Sequence, residues 1–236
     1  MTSRSGVGIV ARRITARGPL GPAFQAVDLE AEPGSLVAIT GPGGSGRSSL
    51  LLALAGRLRL VAGQLTVGGY RLPTGSPAVR QLVAVARVRP AIDLDQRLLV
   101  QELMVERCLI TPRSTSTASI AAAFGLLRID PPRSALVVDL HPAEQTLLAC
   151  ALAVATEPGG IVIDDVGQGV ESGDLPWVWR GLRAAAATGC TVVASADGPP
   201  PDPVPADVMV RLPHRSALER AAAARAERMD AKGGAP

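Results

Sequence analysis

Short apolar runs closed by glycine, proline or a charged residue alternate along this chain with longer stretches of helical periodicity. Residues 7–14 alternate loosely and 24–29 form a second strand-like run, with a Gly/Pro turn at 17–22 between them. Pro33-Gly34 then turns the chain into the apolar run 36–39, the pattern of a buried strand. A loop holding four glycines follows, and from about Ser48 to Gly56 the sequence is a Leu/Ala-rich helix. Residues 63–72 predict a hairpin turning on Gly68-Gly69, and 82–87 a short buried strand. Between Pro90 and Pro132 the periodicity is helical, over 98–110 and 119–127. Residues 135–138 look strand-like, and a long apolar helix begins at His141-Pro142-Ala143-Glu144. Pro at the first helical position and Glu in the first turn mark that start. Runs 161–163, 191–194 and 206–212 read as further strands, with a helix at Leu175–Ala187 and a Pro-rich loop at 198–205. The tail from His214 reads as an Ala/Arg/Glu helix that fades out. Such alternation of strands and helices predicts an α/β sheet covered on both faces.

Composition narrows the class. A chain of 236 residues, 47% hydrophobic, is long enough to bury a core as one large domain or one domain with a subdomain. No uninterrupted apolar run reaches the roughly 18 residues that span a bilayer, so the expectation is a soluble or peripheral protein. The opening MTSRSGVG lacks the apolar stretch of a signal peptide. Cys108, Cys150 and Cys190 are scattered without metal-ligand spacing and read as reduced, buried thiols. A net charge of only +3 and 2% aromatic content give little support to nucleic acid as a partner. Lys232 is the sole lysine, so every other basic side chain is Arg.

The glycine loop carries the chemistry. Gly41, Pro42, Gly43, Gly44, Ser45, Gly46, Arg47, Ser48 and Ser49 match the phosphate-binding loop pattern, with Arg at the position usually held by Lys. Glycines let backbone N–H groups wrap an anion, and the helix that follows aims its positive dipole end at the same point. Ser48 is placed to hold the magnesium ion that accompanies a nucleotide. A nucleotide with Mg²⁺ is therefore the expected ligand.

Taken together, the loop GPGGSGRSS, the hairpin GQLTVGGYRL, the run LHPAEQTLLACALAVATEPGGIVIDDV and the late segment ADVMVRL resemble the ATP-binding cassette family, the nucleotide-binding domains of ABC transporters. The resemblance extends from about Val7 to Leu212. It implies a P-loop NTPase-type α/β core, a mixed sheet with flanking helices, over 1–89 and 133–212. A helical subdomain at 90–132 interrupts that core, and 213–236 would be a partly disordered helical tail. In the family two such domains dimerise head to tail, with ATP between one domain's phosphate loop and the other's signature helix. The resemblance thus makes ATP and Mg²⁺ the expected cofactors. Asp164 matches the carboxylate that supports magnesium through water, and Asp165 stands where the family has the glutamate that polarises the attacking water.

Several positions depart from that pattern. Asp165 is one methylene shorter than Glu, so its carboxylate should fall short of a water positioned for in-line attack. Arg47 offers a wide planar fork in place of a compact ammonium. Ser195-Ala196-Asp197 occupies the place of the switch histidine, and Arg87 and Arg89 the place of the Q-loop glutamine, with Gln96 further downstream. The signature Ser-Gly-Gly-Gln is replaced by His141-Pro142-Ala143-Glu144. Pro142 removes a donor there, and Glu144 adds negative charge at a helix start that would meet a phosphate. Phe24 fits a buried position better than an adenine platform near Arg17.

The resemblance with these departures implies an ABC transporter-like ATP-binding subunit with a degenerate site. It would hydrolyse ATP poorly or not at all, and would regulate or scaffold a permease-like membrane protein. Homo- and heterodimers both remain open, and the location implied is cytoplasmic, peripheral at the inner face of the cell membrane. Two alternatives stand beside this reading: an active ABC ATPase powering transport, and a cytosolic non-transport ABC protein.

Overall fold

The computed structural model describes residues 6–18, 21–112, 114–214 and 216–217; the tail predicted beyond residue 217 lies outside them. Its centre is a five-stranded parallel sheet in the order β6-β7-β8-β3-β9. These strands are β3 (Leu36–Thr40), β6 (Val83–Arg87), β7 (Gly160–Ile163), β8 (Thr191–Ala196) and β9 (Val208–Arg211). Every residue of β3, β7 and β8 is buried, as near-continuous apolar runs must be when both faces of a sheet are covered. Strand periodicity divides them between two cores. Leu36, Ala38, Ile161, Ile163, Val192 and Ala194 face one, while Val37, Ile39, Val162 and Val193 face the other.

The second of those cores is closed by α1 (Arg47–Leu54) and an antiparallel sheet, β2-β1-β4-β5. That sheet contains β1 (Ile9–Gly18), β2 (Gly21–Ala31), β4 (Ala62–Val67) and β5 (Tyr70–Leu72). The predicted turn between β4 and β5 is present, with positive φ at both Gly68 and Gly69, which Gly supplies without steric cost. The first core is covered by α3 (Val100–Ile110), α4 (Thr117–Leu127), α5 (Pro142–Val154) and α6 (Leu175–Ala187), with Trp179 its largest fully buried side chain. In α5, nine of thirteen residues are buried, so this helix is apolar nearly all round because it lies between neighbours.

Two local readings differ from the sequence expectation. Residues 135–138 form no strand; Val137–Asp139 is a 3₁₀ turn, and Leu136 makes only an isolated bridge with Leu99. The reason lies in where their backbone groups go. The carbonyls of Arg133 and Ala135 accept from the N–H groups of Gln101 and Val100, capping α3, while Val137 N–H donates to Leu98 O. A short helix, α2 (Ser76–Leu82), stands just before β6, with Pro77 in its first turn as the start signal.

Candidate phosphate-loop site

Parallel strands all end at one edge, and that edge collects the polar residues. Register pairs Thr40 with Ala196 and Ile163 with Ala194, so the segments leaving β3, β7 and β8 meet at their carboxyl ends. The glycine loop leaves β3 there, Asp164-Asp165 leaves β7, Ser195 and Asp197 close β8, and Arg87 ends β6. The sequence-predicted loop and carboxylates are thus brought together.

The loop's conformation depends on its glycines. Gly46 has φ +91, and a Cβ there would lie 2.0 Å from the carbonyl oxygen of Ala23, so α1 can start against β2 only with glycine at this point. The loop faces a cavity of about 330 Å³ lined by Gly18, Pro22, Ala23 and residues 44–49. The Ser45 hydroxyl is buried in the loop without a hydrogen-bond partner.

Asp164 is buried and receives two hydroxyl donors. Ser48 Oγ donates to Oδ2 from the loop and Ser195 Oγ donates to Oδ1 from β8. The Ser195 oxygen in turn accepts the backbone N–H of Asp165 at 2.9 Å. Asp165 itself has φ +48, a left-handed conformation that Asp tolerates better than most residues. Arg87, only 2% exposed, donates to the Asp165 carbonyl at 3.2 Å and so fixes the same turn from behind. Burial lowers the Arg87 pKa, as does Arg89, against the opposing pull of Asp93, Asp165 and Asp164.

Arg47 does not reach into open solvent. Its side chain is 9% exposed; Nη1 donates to the carbonyl of Gly41 and, at 2.5 Å, to Oδ1 of Asp197, and Nη2 lies 3.4 Å from Oδ1 of Asp165. Both carboxylates therefore face one guanidinium. Burial raises the Asp165 pKa, an effect that Arg47 opposes and that Asp197 and Asp164 reinforce.

The other expected positions lie as follows. Arg89 binds Asp93 and, at 2.7 Å, Gln168, while Gln96 turns back to the carbonyl of Leu94. Phe24 is 1% exposed, as the sequence led one to expect of a core residue. At the start of α5, His141 Nδ1 accepts from Ala143 N–H at 3.3 Å and Nε2 lies 3.4 Å from Asp174, so this helix start is capped by its own side chain. Burial raises the Glu144 pKa, with His141 opposing and Asp130 adding. Sequence reasoning missed two things: Ser195 as the clamp on Asp164, and Asp197 as the partner of Arg47. The Ser-Ala-Asp ending of β8 was the available signal, since a strand beside β3 and β7 must end at the same edge.

A glycine loop opening a helix at the carboxyl edge of a parallel sheet, with a carboxylate from the next-but-one strand bound to its serine, is a phosphate-loop arrangement. The ABC transporter family profile matches residues 24–166, more than half of the chain and including both the loop and Asp164. The chain belongs to the ABC transporter family. A Nod factor export ATP-binding protein I of Mesorhizobium japonicum is 29% identical over 163 residues, covering 68% of this chain and 47% of that protein. The hemin import ATP-binding protein HmuV of Nocardia farcinica is 28% identical over 243 residues, covering 87% and 80%. The match spans about half the length of the Nod factor export proteins. Among solved structures, a dimeric bacterial ABC transporter cassette superposes with a TM-score of 0.69 at 17% identity, covering 87% of this chain and 94% of that one. A nucleotide-free ATP-binding cassette from an ABC transporter gives 0.65 at 17%, covering 80% and 81%. The α/β cassette fold is thereby established.

The residues fit the cofactors of that fold in part. Ser48 and Asp164 present hard oxygen donors at one point, the chemistry Mg²⁺ prefers, and the loop amides with the unpartnered Ser45 hydroxyl suit phosphate oxygens. The loop's one cation is already engaged by carboxylates. Among the described residues no helix is long and apolar enough to cross a membrane.

Proposed function

We propose that this chain is the ATP-binding subunit of an ABC transporter whose own site binds nucleotide weakly and hydrolyses it little, so that it regulates or scaffolds its complex. The observation that carries this reading is the engagement of Arg47 by Gly41 O, Asp165 and Asp197. A nucleotide phosphate must compete with two carboxylates for that guanidinium, or join them and add negative charge to negative charge. Either course weakens binding. MgATP, when bound, would bring its phosphate chain to amides 43–48, with Ser48 and, through water, Asp164 as the residues of this chain that hold Mg²⁺.

The catalytic side is weakened by the same pairing. A general base must reach the proton it takes, and Asp165 is both a methylene short and turned toward Arg47. Across a head-to-tail dimer the opposing element would be the start of α5, where Pro142 offers no N–H and Glu144 brings negative charge. The second reading, an active ATPase powering transport, rests on the intact Ser48–Asp164 pair.

The partner in this proposal is a membrane-embedded permease-like protein, contacted near residues 87–97 and the helical segment 90–132 that we take as a subdomain. On α3 the side chains of Val105, Leu109 and Ile110 are more than half exposed, which suits a surface covered in a complex. Relatives are named for export and for import. The test is calorimetric titration with MgATP, comparing wild type with the Arg47→Ala/Ser48→Ala double variant. Weak binding that the double variant abolishes is expected; equal affinity in both would refute the site.

A further inference from the structure

Charge is unevenly distributed along this chain. Between Glu32 and Asp93 lie sixty residues with seven arginines and no carboxylate, which leaves the rest of the chain acidic on balance. Three of those arginines, Arg57, Arg59 and Arg80, line one groove of about 460 Å³ between the end of α1 and α2. The groove shares no residue with the cavity before the glycine loop.

What holds two of these side chains is backbone. Arg57 Nη1 donates to the carbonyls of Ala55 at 3.0 Å and Val83 at 3.4 Å, and Arg80 Nε donates to Gly56 O at 2.9 Å. A carbonyl orients a guanidinium without neutralising it. Among the described residues no carboxylate pairs with Arg57, Arg59 or Arg80, so each keeps full charge and unused N–H donors. Arg57 and Arg80 stand close enough that Arg80, added to burial, lowers the Arg57 pKa. Holding like charges together costs free energy, and an anion bridging them recovers it. Thr74 and Ser76, residue types with neutral hydroxyl donors, line the same groove.

We propose that this groove is an anion site for a compound carrying two or more phosphate groups, gripped by the guanidinium forks of Arg57, Arg59 and Arg80. Arginine matches phosphate oxygens two at a time, and three guanidinia call for more charge than one orthophosphate carries. No acidic side chain lines the groove to receive an amine, so the ligand is anionic where it touches the protein rather than zwitterionic. The phosphates could belong to a free metabolite or to a lipid headgroup.

Titration calorimetry with inorganic pyrophosphate at low salt tests this. Wild type and Arg12→Ala are expected to bind alike, because Arg12 lies outside both cavities. Arg57→Ala/Arg80→Ala should lose binding. Arg59→Glu and Thr74→Glu leave the carbonyl bonds intact and should weaken it at least about tenfold, which guards against a misfolded double variant. A second arm uses phosphatidylcholine vesicles with and without cardiolipin, whose headgroup carries two phosphates. Vesicle binding that needs cardiolipin and Arg59, with pyrophosphate silent, supports the site and assigns the phosphates to lipid. The proposal is overturned if neither probe binds, if binding disappears with Arg47→Ala but not with the groove variants, or if a carboxylate-rich peptide binds in preference to both probes.

Discussion

Arg47 is held by Gly41 O, Asp165 and Asp197, and its carboxylate partners can be removed one at a time. Asp197 is 78% exposed at its side chain, and an exposed ion pair is worth only about 0–1 kcal/mol. Asp197→Ala is therefore expected to tighten MgATP binding by no more than a few-fold, read by calorimetry. A loss of affinity would mean that Asp197 helps the nucleotide rather than competing with it. Ser195 is different because it is fully buried and serves Asp164 and the Asp165 N–H together. Ser195→Ala leaves that amide and one carboxylate oxygen without a partner, at a cost of about 1–3 kcal/mol for a buried polar group. Urea denaturation should show this as a lower midpoint with an unchanged slope.

At the scale of elements, the loop-to-helix junction tolerates least. Gly46→Ala would place a methyl 2.0 Å from a backbone carbonyl at φ +91, so β2 and α1 must separate. A drop in melting temperature of several degrees is expected, and an unchanged melting curve would show that the junction is looser than described. The edge strand β9 is tied in through Asp207, which accepts from Leu36 N–H and from Arg183, each at 2.7 Å. The Arg183 hydrogen bond, with that of Leu36, keeps the Asp207 carboxyl below its ordinary value. A lowered native pKa stabilises the fold above the unfolded value of about 4 and is lost as pH falls below it through the native value. The stability gap between wild type and Asp207→Asn should therefore be present at neutral pH and close on acidification; a gap independent of pH would contradict this. These elements were legible in the sequence to different degrees. The buried strands announced themselves as apolar runs, and Gly68-Gly69 fixed its hairpin. Residues 135–138 misled because apolar alternation says nothing of where backbone groups find partners, and here they cap α3. The loop could be read from its glycine spacing, and Asp164 from the resemblance of the run that contains it. The Arg47–Asp197 pair could not, since it joins residues 150 apart in sequence across parallel strands whose order periodicity does not encode.

For the whole molecule, the proposed function is that of a cassette that keeps its architecture while the cation of its phosphate loop is held by its own carboxylates. Losing one well-placed charge-stabilising donor costs about 10²–10³ in rate in other enzymes, and losses within one site do not simply multiply. On the proposed reading one such loss brings turnover near background, and a heterodimer with an intact partner would be only a partial rescue. In one composite site Arg47 and Asp165 persist, and in the other Pro142 and Glu144. Purification from membranes should bring down a permease-like partner; recovery only from the soluble fraction, with no membrane protein attached, would count against the assignment. The most direct measurement is steady-state ATP hydrolysis by the purified protein beside its Asp165→Ala variant. The account predicts rates at background for both, with no measurable difference between them. Turnover ordinary for a transporter in the wild type, abolished in Asp165→Ala, would contradict it.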